Sequence, residues 1–269
     1  MASVSSDARE GMTPDEMHNI FRAEPELWWY RGMRAISAGL LGTALASDAK
    51  SGLDAGCGTG FNALDFERRY GLRMYGVDLV PLGVAYCRKR DFARSAVASI
   101  TDLPFPANCF DVVSSIDVIC HVWERDTQVL QEFLRVLRPG GWLVIRVPAF
   151  RILRSRHSQY VSEGHRYRAP ELLGKLAALG CPAVRWSYAN FFLSPVAFLK
   201  FRVWENLVNA PAQSGVAVAM PSWLNRTLES ILKLEAALIR HGLRFPFGQS
   251  LMVLAQKPPK DAPPGGRSR

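Results

Sequence analysis

Long apolar runs are missing from this sequence. The longest, Phe191 to Leu199, is broken by Ser194 and Pro195 and falls far short of a membrane span. The first fifteen residues are polar and hold no apolar signal core, so a cytoplasmic protein is expected. Cysteine is sparse as well: five residues, at 57, 87, 109, 120 and 181, odd in number and without paired spacing. That scatter excludes a disulfide framework and a cysteine-rich zinc site and points to a reducing compartment. No internal repeat is present, and nothing in the pattern speaks to oligomeric state. Carboxylates are in deficit, 24 against 33 lysines and arginines, which gives a formal charge of +9.

The charge excess is concentrated in two places. Lys257, Lys260, Arg267 and Arg269 stand against Asp261 in a tail rich in proline and glycine. Residues 258–269 therefore read as a disordered basic end, and 1–13 as a disordered start. Arg151, Arg154, Arg156, Arg166 and Arg168 face only Glu163. Either this is a solvated loop or it is an electropositive patch facing an anionic substrate or a peripheral membrane surface. Hydrophobic content of 48% supports a sizeable core, and 269 residues suit one α/β domain with additions.

What is present is organised around Leu53-Asp54-Ala55-Gly56-Cys57-Gly58-Thr59-Gly60. A strand ending in three close glycines can turn sharply and bring backbone N–H groups against a ligand without Cβ interference. Met74-Tyr75-Gly76-Val77-Asp78 reads as a second strand ending in an acid, 18 positions after Gly60. An acid there is placed to accept hydrogen bonds from two ribose hydroxyls.

Strands and helices alternate from this point. Strands are expected at 51–55, 72–77, 93–98, 110–116, 142–147, 183–188 and 249–255, with helices at 61–70, 81–90, 125–137 and 170–179. That order implies a parallel sheet with right-handed crossovers. Ahead of it, Thr13 caps a short helix from Pro14, and a second helix is expected from about Gly32 to Ala46. Trp28, Trp29 and Tyr30, with Arg31 or Arg34, could close a site from above. Between the last two strands lie some sixty residues, in which Leu224, Leu228, Ile231, Leu232, Leu238 and Ile239 follow helical spacing. This stretch reads as a cap on the sheet, a lid over an apolar substrate, or a face resting in a membrane interface.

The ordered motifs from Lys50 to Val147 resemble a class I methyltransferase that uses S-adenosylmethionine. The family's acid-x-Gly-x-Gly-x-Gly is matched by Asp54, Gly56, Gly58 and Gly60. A nicotinamide-binding fold, which usually shows Gly-x-Gly-x-x-Gly without that acid, is the competing reading. The resemblance implies a Rossmann-like doubly wound α/β sheet of seven strands, the last antiparallel, with helices on both faces. It divides the chain into an N-terminal helical segment over the cleft (14–49) and a methyltransferase domain (50–257) with a cap insertion at 191–247.

It also implies site residues. Backbone groups at Gly56, Cys57 and Gly58 would hold the methionine part of S-adenosylmethionine, with Asp54 bonding its ammonium. Asp78 would take the ribose and Leu79 would pack on the adenine. The loop Ser99-Ile100-Thr101-Asp102 resembles the family's Gly-Asp-Ala stretch, but Ser99 stands where the adenine-binding Asp is usual. Ile116 closes the fourth strand beside the cofactor, and Ile116-Asp117-Val118-Ile119-Cys120-His121-Val122 resembles a segment found in ubiquinone-pathway and sugar methyltransferases. His121 would then be a base toward the acceptor. His165 and Tyr167, in a loop similar to one in bacterial glycan and glycolipid methyltransferases, would bind or deprotonate the substrate. Two histidines and Glu163 match no firm metal template, so no metal is expected. The implied reaction moves a methyl group to oxygen, nitrogen or sulfur on a small-molecule or lipid-linked acceptor. Competing readings are an RNA methyltransferase, for which no RNA-binding module or Asn-Pro-Pro-Tyr-like motif is seen, and a non-catalytic S-adenosylmethionine-binding regulator.

Overall fold

The structure, a computed structural model, describes residues 12–42, 44–45, 49–209, 211–217 and 220–260. Of the two stretches expected to be disordered, 1–13 and 258–269, residues 1–11 and 261–269 lie outside them. Seven strands form one sheet in the order β3-β2-β1-β4-β5-β7-β6. They are β1 (Ser51–Ala55), β2 (Arg73–Asp78), β3 (Ser95–Val97), β4 (Phe110–Ile116), β5 (Leu137–Pro148), β6 (Ala183–Ala189) and β7 (Ser250–Gln256). The first five run parallel, and β7 lies antiparallel between β5 and β6, as the resemblance implied.

Alternation along each strand divides the core in two. Leu143, Ile145 and Val147 of β5 and Val253 of β7 pack on one face, against Leu130 and Phe133 of α5 (Asp126–Val136) and Leu172 of α7 (Ala169–Ala178). Val144, Met252 and Leu254 point the other way. They meet Met33 and Ile36 of α2 (Trp28–Leu41), Phe66 of α3 (Phe61–Tyr70) and Leu232 of α10 (Ser222–Arg240). Strands covered on both faces read as continuous apolar runs, which is why they stand out in the sequence. The remaining helices are α1 (Pro14–Ala23), α4 (Pro81–Lys89), α6 (Arg156–Tyr160), α8 (Ser194–Phe198) and α9 (Glu205–Leu207), with a π-helical turn Leu199–Trp204 joining the last two.

Thr13 and Pro14 start α1 as expected, with the Thr13 hydroxyl accepting the Glu16 N–H at 3.3 Å. The second helix differs from the expectation: it starts at Trp28 rather than Gly32 and ends at Leu41 rather than Ala46. Its first N–H is capped from another element, since Trp28 donates to Asn225 Oδ1 of α10 at 2.8 Å. Gly42, at φ 53°, ends it. Strand β5 begins at Leu137, ahead of the expected Trp142, because Leu137 pairs with Phe110 before a register shift brings Trp142 opposite Val112.

Helix α10 lies along α2 with the backbones very close. A Cβ on Gly39 would sit 2.5 Å from the Ala236 carbonyl oxygen, and one on Gly32, seven residues earlier, would overlap Leu232. These two glycines form a notch on one face of α2. Helix α10 is thus part of the layer under the sheet, whereas residues 193–209 and 211–216 contribute to the cavity at the carboxyl ends of the strands.

Candidate functional site

A cavity of about 700 Å³ opens at the carboxyl ends of β1, β2, β4 and β5. Its floor is the glycine turn. Gly56 and Cys57 donate to the Val77 carbonyl at 2.8 and 2.9 Å, which locks the turn to β2. Gly56, Gly58 and Gly60 have φ of 85, 54 and 81°, so the turn suits glycine at each. A Cβ on Gly56 would also overlap the Val118 methyls, while the space beside Gly58 is open.

Asp78 lies where the sequence put it, on the cavity wall. Its carboxylate accepts the Gly58 N–H at 2.8 Å and the Val80 N–H at 2.9 Å, and each oxygen keeps a lone pair for a ligand hydroxyl. Burial raises its pKa, against the pull of those two bonds. Asp54 is buried behind the turn and does not itself line the cavity. One oxygen accepts from Ser114 Oγ at 2.8 Å and the other has no partner; burial pushes this carboxyl to about 7.

Leu79, 44% exposed, Ser99, Ile100 and Ile116 line the cavity as well. Thr101 and Asp102 do not. The Ser99 hydroxyl is 2.8 Å from Thr101 Oγ1 and accepts the Thr101 N–H at 3.2 Å, so it is engaged within its own loop. This set fits a nucleoside with a cationic end: open backbone at Gly58, a carboxylate one strand away, an apolar slot at Leu79 and Ile100, and an orphaned carboxylate oxygen on Asp54.

Beyond the turn, β4 is followed by Asp117, held at φ 59°, a left-handed conformation that few residues besides Gly, Asn and Asp adopt. Arg146 of β5 clamps it, Nε at 2.9 Å and Nη2 at 2.7 Å from the same oxygen, and the second oxygen is buried without a partner. Both residues line the cavity. His121 stands next to them; burial lowers its pKa, so the ring is neutral, and it is bonded to the Ser162 backbone. Tyr30, in the field of Glu24 and Asp117, is held far above its usual range by burial. Trp28, Trp29 and Tyr30 line the cavity, whereas Arg31, paired with Glu229 at 3.1 Å, and Arg34, which donates to the Glu24 carbonyl at 2.8 Å, do not.

His165 and Tyr167 are brought together but outside the cavity lining. Tyr167 is fully buried and donates to Asp126 at 3.0 Å, while His165 bonds Glu171 at 2.8 Å and stacks on Trp123. They fix α7 and α5 to the sheet. The sequence reading missed Glu24, which accepts from Thr59 of the glycine turn and pairs with Arg90 at 3.0 Å. It also assigned no role to the Asp117–Arg146 pair, although an arginine inside the apolar run 142–147 is a signal of its own. Above the site, Arg156 N–H donates to Glu205 and Gly215 N–H to His157 Nδ1, both at 2.9 Å, which ties the covering segment down. Among the described residues, no group of three or more His, Cys, Asp or Glu is placed to hold a metal ion.

Comparison with known proteins agrees with this geometry. Residues 53–145 match a family described as a methyltransferase domain. A probable S-adenosylmethionine-dependent methyltransferase of Mycolicibacterium smegmatis is 33% identical over 125 residues, 46% of each chain. A fatty-acid O-methyltransferase of the same organism is 35% identical over 104 residues, 36% of each chain. The chain thus spans less than half the length of either relative. In fold, the structure of a putative sarcosine dimethylglycine methyltransferase from Galdieria sulphuraria superposes with a TM-score of 0.55 at 18% identity, covering 83% of this chain and 84% of that one. With the sheet order, the glycine turn and the Asp78 carboxylate in place, the chain carries a methyltransferase domain at residues 53–145 and has the fold of the class I S-adenosylmethionine-dependent methyltransferases.

Proposed function

We propose that this chain transfers the methyl group of S-adenosylmethionine to a nucleophilic atom, foremost an oxygen, on an apolar, lipid-like acceptor. The observation that carries this reading is the continuity of the cavity. One end is the glycine turn with Asp78; the other is walled by Trp28, Trp29, Leu193, Val196, Phe201 and Trp204. These walls favour a hydrophobic acceptor over a sugar or a nucleic acid, and Arg156, His157 and Lys200, which also line the cavity, are there to meet a polar end on it. The similarity to a fatty-acid O-methyltransferase supports it.

When bound, S-adenosylmethionine supplies an electrophilic methyl carbon on a sulfonium. The residues of this chain do the rest. Asp78 accepts hydrogen bonds from the ribose, Leu79 and Ile100 flank the base, and Asp54, when ionised, attracts the ammonium from behind the turn. Trp28, Trp29 and Tyr30 exclude water. His121, whose pKa burial lowers and whose ring is bonded to the Ser162 backbone, lines the cavity and is the base for an acceptor hydroxyl. An acceptor that arrives as a carboxylate needs no base, and alignment and desolvation then supply the rate.

Isothermal titration with the cofactor and its demethylated product, followed by mass spectrometry of fatty-acid, isoprenoid, catechol and thiol panels, tests the reading. Binding with methylation of an apolar acceptor is expected. Binding without turnover on any acceptor would favour the regulatory alternative, and absence of binding would remove both.

A further inference from the structure

We propose that the helical rod Ser194–Leu207, with the turn Arg151–Leu153 beside it, rests on an anionic lipid bilayer, so that the cavity mouth opens at the membrane. The rod is formed by α8, the π-helical turn and α9 in one run. Its inward side is short: Ser194, Ala197 and Glu205 are buried, with Phe201 half-buried. Its outward side is apolar and uncovered. Val196, Leu199, Trp204 and Leu207 are 64, 58, 62 and 74% exposed. Isolated exposed apolar side chains are ordinary, but a contiguous row of them along one rod marks a contact surface.

Charge identifies what covers it. Arg151, Arg154, Lys200 and Arg202 are exposed around the rod, while the segments 149–162 and 190–217 contain a single carboxylate, Glu205, which is buried. Arg202 also ties the two segments together, donating to the Ile152 carbonyl at 2.7 Å and the Arg151 carbonyl at 3.1 Å. A face that is apolar at its centre and cationic at its edge, without exposed acid, is complementary to lipid headgroups above acyl chains. A second copy of the chain would bring the same cations against each other. Val196, Lys200 and Trp204 line the cavity and also reach solvent, so the mouth lies in this face, and an indole and an ammonium are groups that partition to a bilayer interface. Binding to the bilayer stands on this surface chemistry alone. That the membrane delivers the acceptor rests on the function proposed above.

The test is co-sedimentation of the full chain with phosphatidylcholine vesicles, with and without phosphatidylglycerol. Anionic vesicles are expected to bind it roughly tenfold or more tightly than neutral ones, with added salt weakening the contact. The double variant Leu199→Glu, Leu207→Glu should cut that binding by roughly tenfold or more. Neither residue lines the cavity, so its cofactor titration and melting temperature should match those of the parent. No depletion by anionic vesicles, equal binding to both kinds, or binding kept by the double variant would each overturn the proposal. So would a dimer in sedimentation velocity that the variant converts to monomer. Cofactor titration of the same samples separates this outcome from failure of the methyltransferase reading.

Discussion

At the scale of single residues, Asp54 and the Asp117–Arg146 pair are the groups whose chemistry is most exposed to test. Asp54 has a pKa raised to about 7 by burial, against an ordinary carboxylate value near 4. A cationic ligand prefers the ionised form, so cofactor affinity should rise with pH through about 7 and level off above it. Titration calorimetry at a series of pH values should show this slope, and Asp54→Asn should bind more weakly with the slope gone. Arg146→Met should leave Asp117 without its counter-charge in a left-handed backbone. The expected loss is roughly 1–3 kcal/mol of stability by denaturant unfolding. Turnover should fall by roughly tenfold or more while cofactor affinity is nearly kept, because the pair faces the transfer end of the cavity rather than the nucleoside end. An equal loss in both would mean the clamp merely supports the whole site.

At the scale of elements, the contact between α2 and α10 decides how the covering layer is seated. A glycine inside a helix costs about 0.5–1 kcal/mol relative to alanine, so by propensity alone Gly39→Ala would stabilise. Here the added methyl meets the Ala236 carbonyl oxygen at 2.5 Å, a backbone atom that cannot turn aside. The variant should therefore be less stable by roughly 1–3 kcal/mol, read from its melting temperature. Stabilisation instead would show that the two helices are free to separate. The same helix places Glu235, whose carboxylate accepts N–H groups of Asn190 at 2.5 Å and Phe191 at 2.8 Å. That bond set anchors the end of β6, where the rod over the cavity begins.

At the scale of the whole molecule, two buried carboxylates give stability a direction in pH. Asp54 and Glu235 both have folded-state values of about 7, raised by burial. A folded pKa above the unfolded one means the contribution is fully present below about 4 and is lost as pH rises through about 7. Melting temperatures should therefore fall on going from mildly acidic to mildly alkaline buffer, by roughly 2–4 °C for each kcal/mol lost. Glu235→Gln should flatten that fall. A melt unchanged across this range would place both groups in better-solvated surroundings than the structure gives them. The net charge of +9 acts at the same scale. Part of it borders the cavity mouth, and Lys257 and Lys260 add to it at the end of the described residues.

Short-range chemistry was readable from the chain itself. Alternating apolar strands, the Thr13-Pro14 start of α1, the glycines at 56, 58 and 60, and the acid ending β2 each act within a few residues or across one adjacent strand. The sheet, the turn and Asp78 followed from them. Contacts made across the fold were not readable. The cap on Trp28 comes from Asn225, nearly two hundred positions away, and the notch at Gly32 and Gly39 has meaning only once α10 lies in it. His165 and Tyr167 have the right chemistry for a site, yet packing turns them to Glu171 and Asp126. Asp117 and Arg146, unremarkable apart, become a clamp because β4 and β5 pair in register. Local patterns set the elements; which side chains share the cavity was decided only when tertiary packing chose the faces.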